Sequence, residues 1–224
     1  MTEKTFVKHL QKSYMQEGFL TKQEVGVGYG IADLVLVTLN EKKAKKRIDN
    51  KQYKPLLNES YFKTFEYLPD IDDGCEPVGI QELVKVTNLS ASFLKYKILR
   101  ELKKDKYIVE TSNGYYYKVN GWLPLAKDII AIEAKLKDWK RGFYQANRYK
   151  AFADRVYLAL PSNTIHLVNK DLLKKHNVGL ISFDPETSIK KHILEPRRTN
   201  ALNENKRSFA SEFFWKRSYA RTLV

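Results

Sequence analysis

The sequence predicts an α/β fold: a mixed sheet flanked by helices and interrupted by a smaller helix-and-hairpin module. Three observations carry that expectation. Apolar runs at 30–39, 128–135, 155–160 and 178–183 have the length and composition of buried strands, and helical spacing falls between the later ones. The first two strand candidates are linked through the glycine-rich "GVGYG" (26–30), so they pair as an antiparallel hairpin, whereas strands that alternate with helices need parallel crossovers. Between residues 39 and 128 the texture changes and a separate apolar periodicity begins, which marks an insertion.

Taken in order, Phe6, Leu10 and Tyr14 recur at four-residue spacing between Thr5 and Met15 and define a first helix that Gly18 can stop. Strands "FLTKQEVGV" (19–27) and "GIADLVLVTL" (30–39) follow, the second almost continuously apolar except for Asp33. In "NEKKAKKRIDNKQYK" seven basic residues outnumber two acidic ones, and residues 41–75 read as a basic linker. Apolar order returns with the strand "DIIAIEAK" (128–135), interrupted by Glu133 and Lys135. An amphipathic segment from Trp139 to Phe152, a strand "RVYLAL" (155–160), a helical "NKDLLKKHN" and a strand "VGLISF" (178–183) complete the pattern. The domain expectation is a discontinuous core (1–40 and 127–194), the linker, an insert at 76–126, and a tail at 195–224. That tail carries seven Lys or Arg against three Glu, interleaved with Phe209, Phe213, Phe214 and Trp215, and reads as a docked helix or a nucleic-acid arm.

Composition narrows the partner. With 224 residues and 43% hydrophobic composition, the chain can bury one sizeable core and a smaller module. A formal net charge of +14 and a pI near 9.6 favour a polyanion, nucleic acid first and an anionic membrane surface second. The single cysteine, Cys75, excludes an internal disulfide framework and a Cys-rich zinc site. The N-terminus lacks the apolar run of a signal peptide and no stretch is long enough to span a bilayer. The expectation is a soluble cytoplasmic protein without a membrane partner, nucleoid-associated if prokaryotic.

Within the insert, Ile80, Leu83, Val86 and Leu89 form one apolar stripe, and Phe93, Leu94, Ile98, Leu99 and Leu102 a second, with Ser90 placed to N-cap the second helix. Asn113-Gly114 is a hairpin signal in "YIVETSNGYYYKV". Two helices, a turn and a hairpin in this order resemble a winged-helix domain. That resemblance implies DNA binding, with the second helix in the major groove, Lys95, Lys97 and Arg100 as contacts, and Tyr116 and Lys118 on the wing. A packing or protein-interaction module is the alternative. The run containing Lys43 and Arg47 is either a solvated loop or a grip on the phosphate backbone.

Residues i and i+2 of a strand share a side, so Glu133 and Lys135 form a local pair with Ala134 between them. Alone, such a pair is an ordinary strand end. Asp33 changes the reading, because it also interrupts a buried strand, and an ionised carboxylate in such a place needs a cation or a metal. Here the chain resembles the PD-(D/E)XK, or restriction-endonuclease-like, nuclease superfamily, whose core orders a helix, a hairpin bearing an Asp, a strand ending in Glu-x-Lys, then helix, strand, helix and strand. The resemblance covers residues 1 to about 40 and 127 to 184. It departs from the usual pattern in placing Asp33 and Glu133 a hundred residues apart, which the insert explains, and in having Ala32 where a Pro is common.

The resemblance implies that Asp33, Glu133 and the Ala134 carbonyl hold Mg2+ or Mn2+. Lys135 then orients or deprotonates the attacking water, or offsets charge on the phosphate. It further implies Gln145, with Tyr149 one turn on, as auxiliary residues of the following helix, and a helix-borne acid for which Glu17 is the candidate. The implied function is Mg2+-dependent hydrolysis of DNA; two sites are needed to cut both strands at once, which a homodimer would supply. The alternatives are a non-catalytic winged-helix DNA-binding regulator on a nuclease-like scaffold, and a nuclease acting on RNA. "GVGYG" leads into a strand and not a helix, so it is no dinucleotide motif. His9, His166, His176 and His192 have no metal-ligand spacing.

Overall fold

The computed structural model describes residues 1–119 and 124–215. In chain order its helices are α1 (Glu3–Gln16), α2 (Glu41–Asp49), α3 (Glu59–Phe65), α4 (Ile80–Thr87), α5 (Ala91–Phe93), α6 (Arg100–Lys104), α7 (Trp139–Arg148), α8 (Lys170–Lys175) and α9 (Glu204–Glu212). The strands are β1 (Leu20–Gly26), β2 (Ile31–Leu39), β3 (Val78–Gly79), β4 (Ile108–Glu110), β5 (Tyr115–Lys118), β6 (Ala126–Ala134), β7 (Arg155–Pro161), β8 (Gly179–Asp184) and β9 (Ile189–Leu194). These elements form two compact units, one from residues 1–39 and 126–214 and the other from residue 40 to 125 together with Trp215.

The first unit is an α/β layer structure built on a six-stranded sheet of order β1-β2-β6-β7-β8-β9. The glycine-linked strands β1 and β2 are an antiparallel hairpin, and β6, β7 and β8 run parallel, as short and helical connections respectively demand. On one face Phe6, Leu10 and Tyr14 of α1 pack on Leu34, Leu36, Ile130 and Ile132. On the other, Phe143, Ala146 and Tyr149 pack with Val35, Ile129, Ala131 and Leu158. Thr2 caps α1, its hydroxyl accepting from the Thr5 amide at 3.2 Å. Edge strand β9, "IKKHIL", was not legible as a strand. Its charged residues replace the apolar run that a central strand needs, a pattern suited to a sheet edge.

Of the two readings of the tail from residue 195, the docked helix is the one observed for its described part. Helix α9 belongs to the first unit, and its Arg207 grips Asp154 through Nε and Nη2, each at 2.8 Å. Both side chains are buried, and Asp154 also accepts from the Ile129 amide at 2.8 Å, so the pair ties α9 to the start of the central strands. Residues 216–224 of that tail lie outside the described residues.

The second unit overturns the linker expectation for 41–75. That stretch holds α2 and α3, whose Ala44, Phe62 and Phe65 are buried, with Leu56 and Leu68. Basic surface residues hid an apolar face spread too thinly to read. A three-stranded antiparallel sheet of order β3-β5-β4 follows, with Gly114 at φ +76° turning β4 into β5. Ser90 caps α5, accepting from the Phe93 amide at 3.2 Å. Between α5 and α6 the helix widens to a π-helical segment, Leu94–Leu99. Leu83, Leu94, Ile98, Leu99 and Leu102 are buried as their spacing predicted, but Val86 and Phe93 are exposed, and Thr87 is buried, its hydroxyl satisfied by the Leu83 carbonyl at 2.6 Å. Residues 120–123 of the expected insert lie outside the described residues. No helix among the described residues is long and apolar enough to cross a membrane.

Replacing Arg207 with Ala strands the Asp154 carboxylate in the interior, so Arg207→Ala is expected to cost about 3–5 kcal/mol of unfolding free energy in a urea titration. A loss under about 1 kcal/mol, the size typical of exposed ion pairs, would contradict this role.

Candidate functional site

Strands β2 and β6 are antiparallel with Leu34 opposite Ile132, so one rung further Asp33 stands opposite Glu133. Because Leu34 and Ile132 face α1, the pleat turns Asp33 and Glu133 to the face covered by α7. The hundred-residue separation in sequence is thereby closed by a single ladder. An Asp33 carboxylate oxygen, Oδ2, accepts from the Ala134 amide at 2.8 Å. Lys135 places its ammonium 2.5 Å from Glu133 Oε1 and 4.0 Å from Asp33 Oδ2.

These charges sit at a boundary. Glu133 is 1% exposed and Lys135 8%, whereas the side chain of Asp33 keeps 32% of its surface open. Burial pushes the carboxyl of Asp33 above its ordinary range, with the Ala134 amide and Lys135 opposing and Glu3 and Glu24 adding to the rise. Burial likewise raises Glu133 against the hydrogen bonds from Lys135 and Tyr149. For Lys135 burial acts to lower the ammonium, but Glu133, Asp33 and Glu3 outweigh it, so the group is held in its charged form.

Helix α7 and its C-cap residue Tyr149 supply further parts. The Tyr149 hydroxyl lies 2.7 Å from the Ile31 carbonyl oxygen and 2.5 Å from Glu133 Oε2. A phenol has one proton and a carbonyl can only accept. The single phenolic proton is therefore shared between the Ile31 carbonyl and the Glu133 carboxyl. Gly142 lets the helix approach: a Cβ there would stand 2.6 Å from Leu158 Cδ1 and 2.9 Å from Lys135 Cγ. Gln145 shares this helix face, and its buried Oε1 has no hydrogen-bond partner.

Asp33 on β2, Glu133 on β6, Lys135 just beyond it, Gln145 on α7 and its C-cap Tyr149 are thus carried by two neighbouring strands and the helical segment over them. Glu17 does not join them. It lies at the far end of α1, where its carboxylate pairs with Lys190 at 2.7 Å. The acid that α1 does bring is Glu3, with Oε2 3.7 Å from the Lys135 ammonium. The signal in the sequence is position alone: Glu3 opens the helix beside the cap residue Thr2, at the end of α1 opposite to Glu17. For Ala134 the observed contact is through its amide to Asp33. Among the described residues, no three or more carboxylate, imidazole or thiol groups cluster as a ready-made metal site.

In the second unit Lys95 and Lys97 are exposed on the widened helix and Arg100 at the start of α6, together with Tyr96, which the apolar pattern does not include. Arg47 is corrected from a surface contact to a core residue. Its guanidinium is buried between the rings of Tyr107 and Trp215, 5.1 Å from each centroid, and hydrogen-bonds the Tyr107 hydroxyl. Tyr116 is also buried, its hydroxyl donating to Glu110 at 3.0 Å and its pKa pushed up to about 12 by burial and that carboxylate. Lys118 is half-buried and donates to the Phe65 carbonyl at 3.3 Å, and Lys43 is half-buried on α2.

No protein-family model matches this chain, and neither the curated proteins nor the solved structures contain a match to it.

Two outcomes follow from the packing. Gly142→Ala must displace Leu158 and the stem of Lys135, so a loss of about 1–3 kcal/mol in denaturant unfolding is expected; unchanged stability would mean that the close approach is not required. Glu133 retains its proton in the folded state above the ordinary glutamate range, so its contribution to stability is full at acid pH. That contribution declines as pH rises from the unfolded value of about 4.5 through the raised folded one. Relative to Glu133→Gln, wild-type unfolding free energy is therefore expected to fall over that interval, and a difference that is flat or rising with pH would reverse the assignment.

Proposed function

We propose that this protein is a metal-dependent nuclease with a restriction-endonuclease-like core that hydrolyses phosphodiester bonds in DNA. The observation that carries the reading is the convergence of Asp33, Glu133 and Lys135 at one end of the sheet, in a setting that raises the pKa of both carboxyls. Charges so placed weaken a purely structural core, and their grouping on a part-open strand end suits a cationic and polyanionic ligand.

The donor set fits Mg2+ or Mn2+. Hard carboxylate oxygens from Asp33 and Glu133 would hold the ion, two protein carboxylates being enough for a metal that keeps several of its waters. Once bound, such an ion lowers the pKa of a coordinated water and offsets charge on the phosphoryl oxygens. The side chains do the rest. Lys135, held protonated by three acidic neighbours, is a donor at neutral pH and not a base, so it steadies charge developing on the phosphate and orients the water. Glu3 keeps the ammonium at that corner. Gln145 offers its unpartnered oxygen to Lys135 or to the attacking water, and Tyr149 fixes the carboxylate of Glu133.

The second unit supports a winged-helix reading: a capped second helix preceded by α4, and a three-stranded sheet ending in the β4–β5 hairpin. Its exposed Lys95, Lys97 and Arg100 suit phosphate and base-edge contacts in a major groove.

With duplex DNA and Mg2+, Glu133→Gln and Lys135→Ala are each expected to lower cleavage by about a hundredfold or more while changing DNA affinity less than about threefold. EDTA should abolish cleavage by the wild type. Cutting that survives either substitution or chelation would reject the mechanism. Salt-sensitive binding without metal-dependent cutting would assign the chain as a regulator, and cutting confined to RNA oligonucleotides would change the substrate.

A further inference from the structure

The turn between β1 and β2 places an unusual group of side chains beside the site. Tyr29 is 43% exposed and Ile31 62%, although each is large and apolar. Single exposed apolar residues are ordinary, but here two of them stand two residues apart at one glycine-rich turn. Gly28 (φ +92°) and Gly30 (φ +106°) supply the left-handed conformations on either side of Tyr29. The Ile31 carbonyl is held by the Tyr149 hydroxyl at 2.7 Å, the same hydroxyl that contacts Glu133. Beneath the turn, the Lys206 ammonium of α9 lies 5.9 Å from the Tyr29 ring centroid and 2.9 Å from where a Cβ on Gly28 would stand.

Ile31 precedes Asp33 by two strand residues, a span of about 7 Å, which matches about two base steps of a nucleic-acid strand. A strand whose phosphate lies at Asp33 therefore carries its neighbouring bases over the tip. An aromatic ring, a branched aliphatic side chain and a cation presented together match what an unstacked nucleotide offers: a flat apolar face beside a negative charge.

We propose that Tyr29 and Ile31 form a wedge that stacks on bases next to the phosphate held at Asp33 and Glu133 and opens the duplex there, with Lys206 beside it facing the backbone. The proposal rests on the nuclease reading for the position of the phosphate. The Tyr149 hydroxyl, which contacts both the Ile31 carbonyl and Glu133, ties the base of the tip to the carboxylate it adjoins.

The test uses duplex oligonucleotides that carry 2-aminopurine at successive positions, bound in Ca2+ without cleavage, and then the same sequences cut in Mg2+. Binding by wild type and by Glu133→Gln is expected to raise 2-aminopurine fluorescence at one or two adjacent positions, and the double variant Tyr29→Ala/Ile31→Ser to abolish that rise. In Mg2+ the double variant is expected to cut paired duplex about tenfold more slowly than wild type, yet a substrate with two unpaired bases at the cut within about threefold. Equal losses on the two substrates, or a fluorescence rise that persists in the double variant, overturn the wedge. Because both side chains are exposed, a thermal melt matching wild type establishes that the variant is folded. If wild type opens the duplex but cuts nothing, the nuclease reading fails while the wedge stands; if it cuts without any local rise, the wedge alone fails.

Discussion

The antiparallel register between β2 and β6 is the constraint on which the site depends. With Leu34 opposite Ile132, Asp33 and Glu133 meet on one face, and the Ala134 amide is left pointing at the Asp33 carboxylate. A slip of one residue would send Asp33 into the apolar layer under α1 and bring Ala32 or Leu34 to the charged end. Apolar packing on both faces prevents that slip. Phe6 and Leu10 select one set of alternating residues, while Phe143 and Ala146 select the other. The hydrophobic layers thus do more than stabilise the sheet: they position three polar groups that would otherwise weaken it.

Much of this was legible because strand alternation is strict. The apolar runs of β2, β6, β7 and β8 announced a central sheet, and the exceptions within those runs, Asp33, Glu133 and Lys135, announced where it carries charge. What escaped reading did so for physical reasons. Glu3 comes near Lys135 through the packing of α1 on the sheet, a tertiary contact that helical spacing does not contain. Arg47 lay in a run of lysines and looked solvated, yet a planar guanidinium stacks between two rings, one of them from Trp215, far along the chain. The helices α2 and α3 were hidden because only a few of their residues are buried, too few to set a period against so many charges. Strand β9 lacked an apolar run because an edge strand does not need one.

The balance at Glu133 separates stability from use. Its carboxyl is buried, raised in pKa and shared between Lys135 and Tyr149. Each contact answers part of the cost of burial, and none removes it. Gly142 belongs to the same compromise, since a helix residue without a side chain weakens α7 by up to about 1 kcal/mol but admits the stem of Lys135 beneath it. The neighbourhood is a place where local preference is overridden for the sake of a fixed arrangement of charge.

At the base of the second unit, the Asn40 amide donates to the Leu125 carbonyl at 2.8 Å, so the two points where the chain enters and leaves lie side by side. Were residues 40–125 an unstructured excursion, bringing β2 and β6 together would carry a closure entropy about 3 kcal/mol larger than a tight turn does. Folded and clasped at its base, the intervening segment presents its ends already adjacent. For kinetics, the pairing that looks most remote in the chain then becomes an effectively local step, available once the smaller body has formed. For descent, the same geometry means that this body can be lengthened, exchanged or trimmed back to a short turn without altering the alignment of the strands on either side.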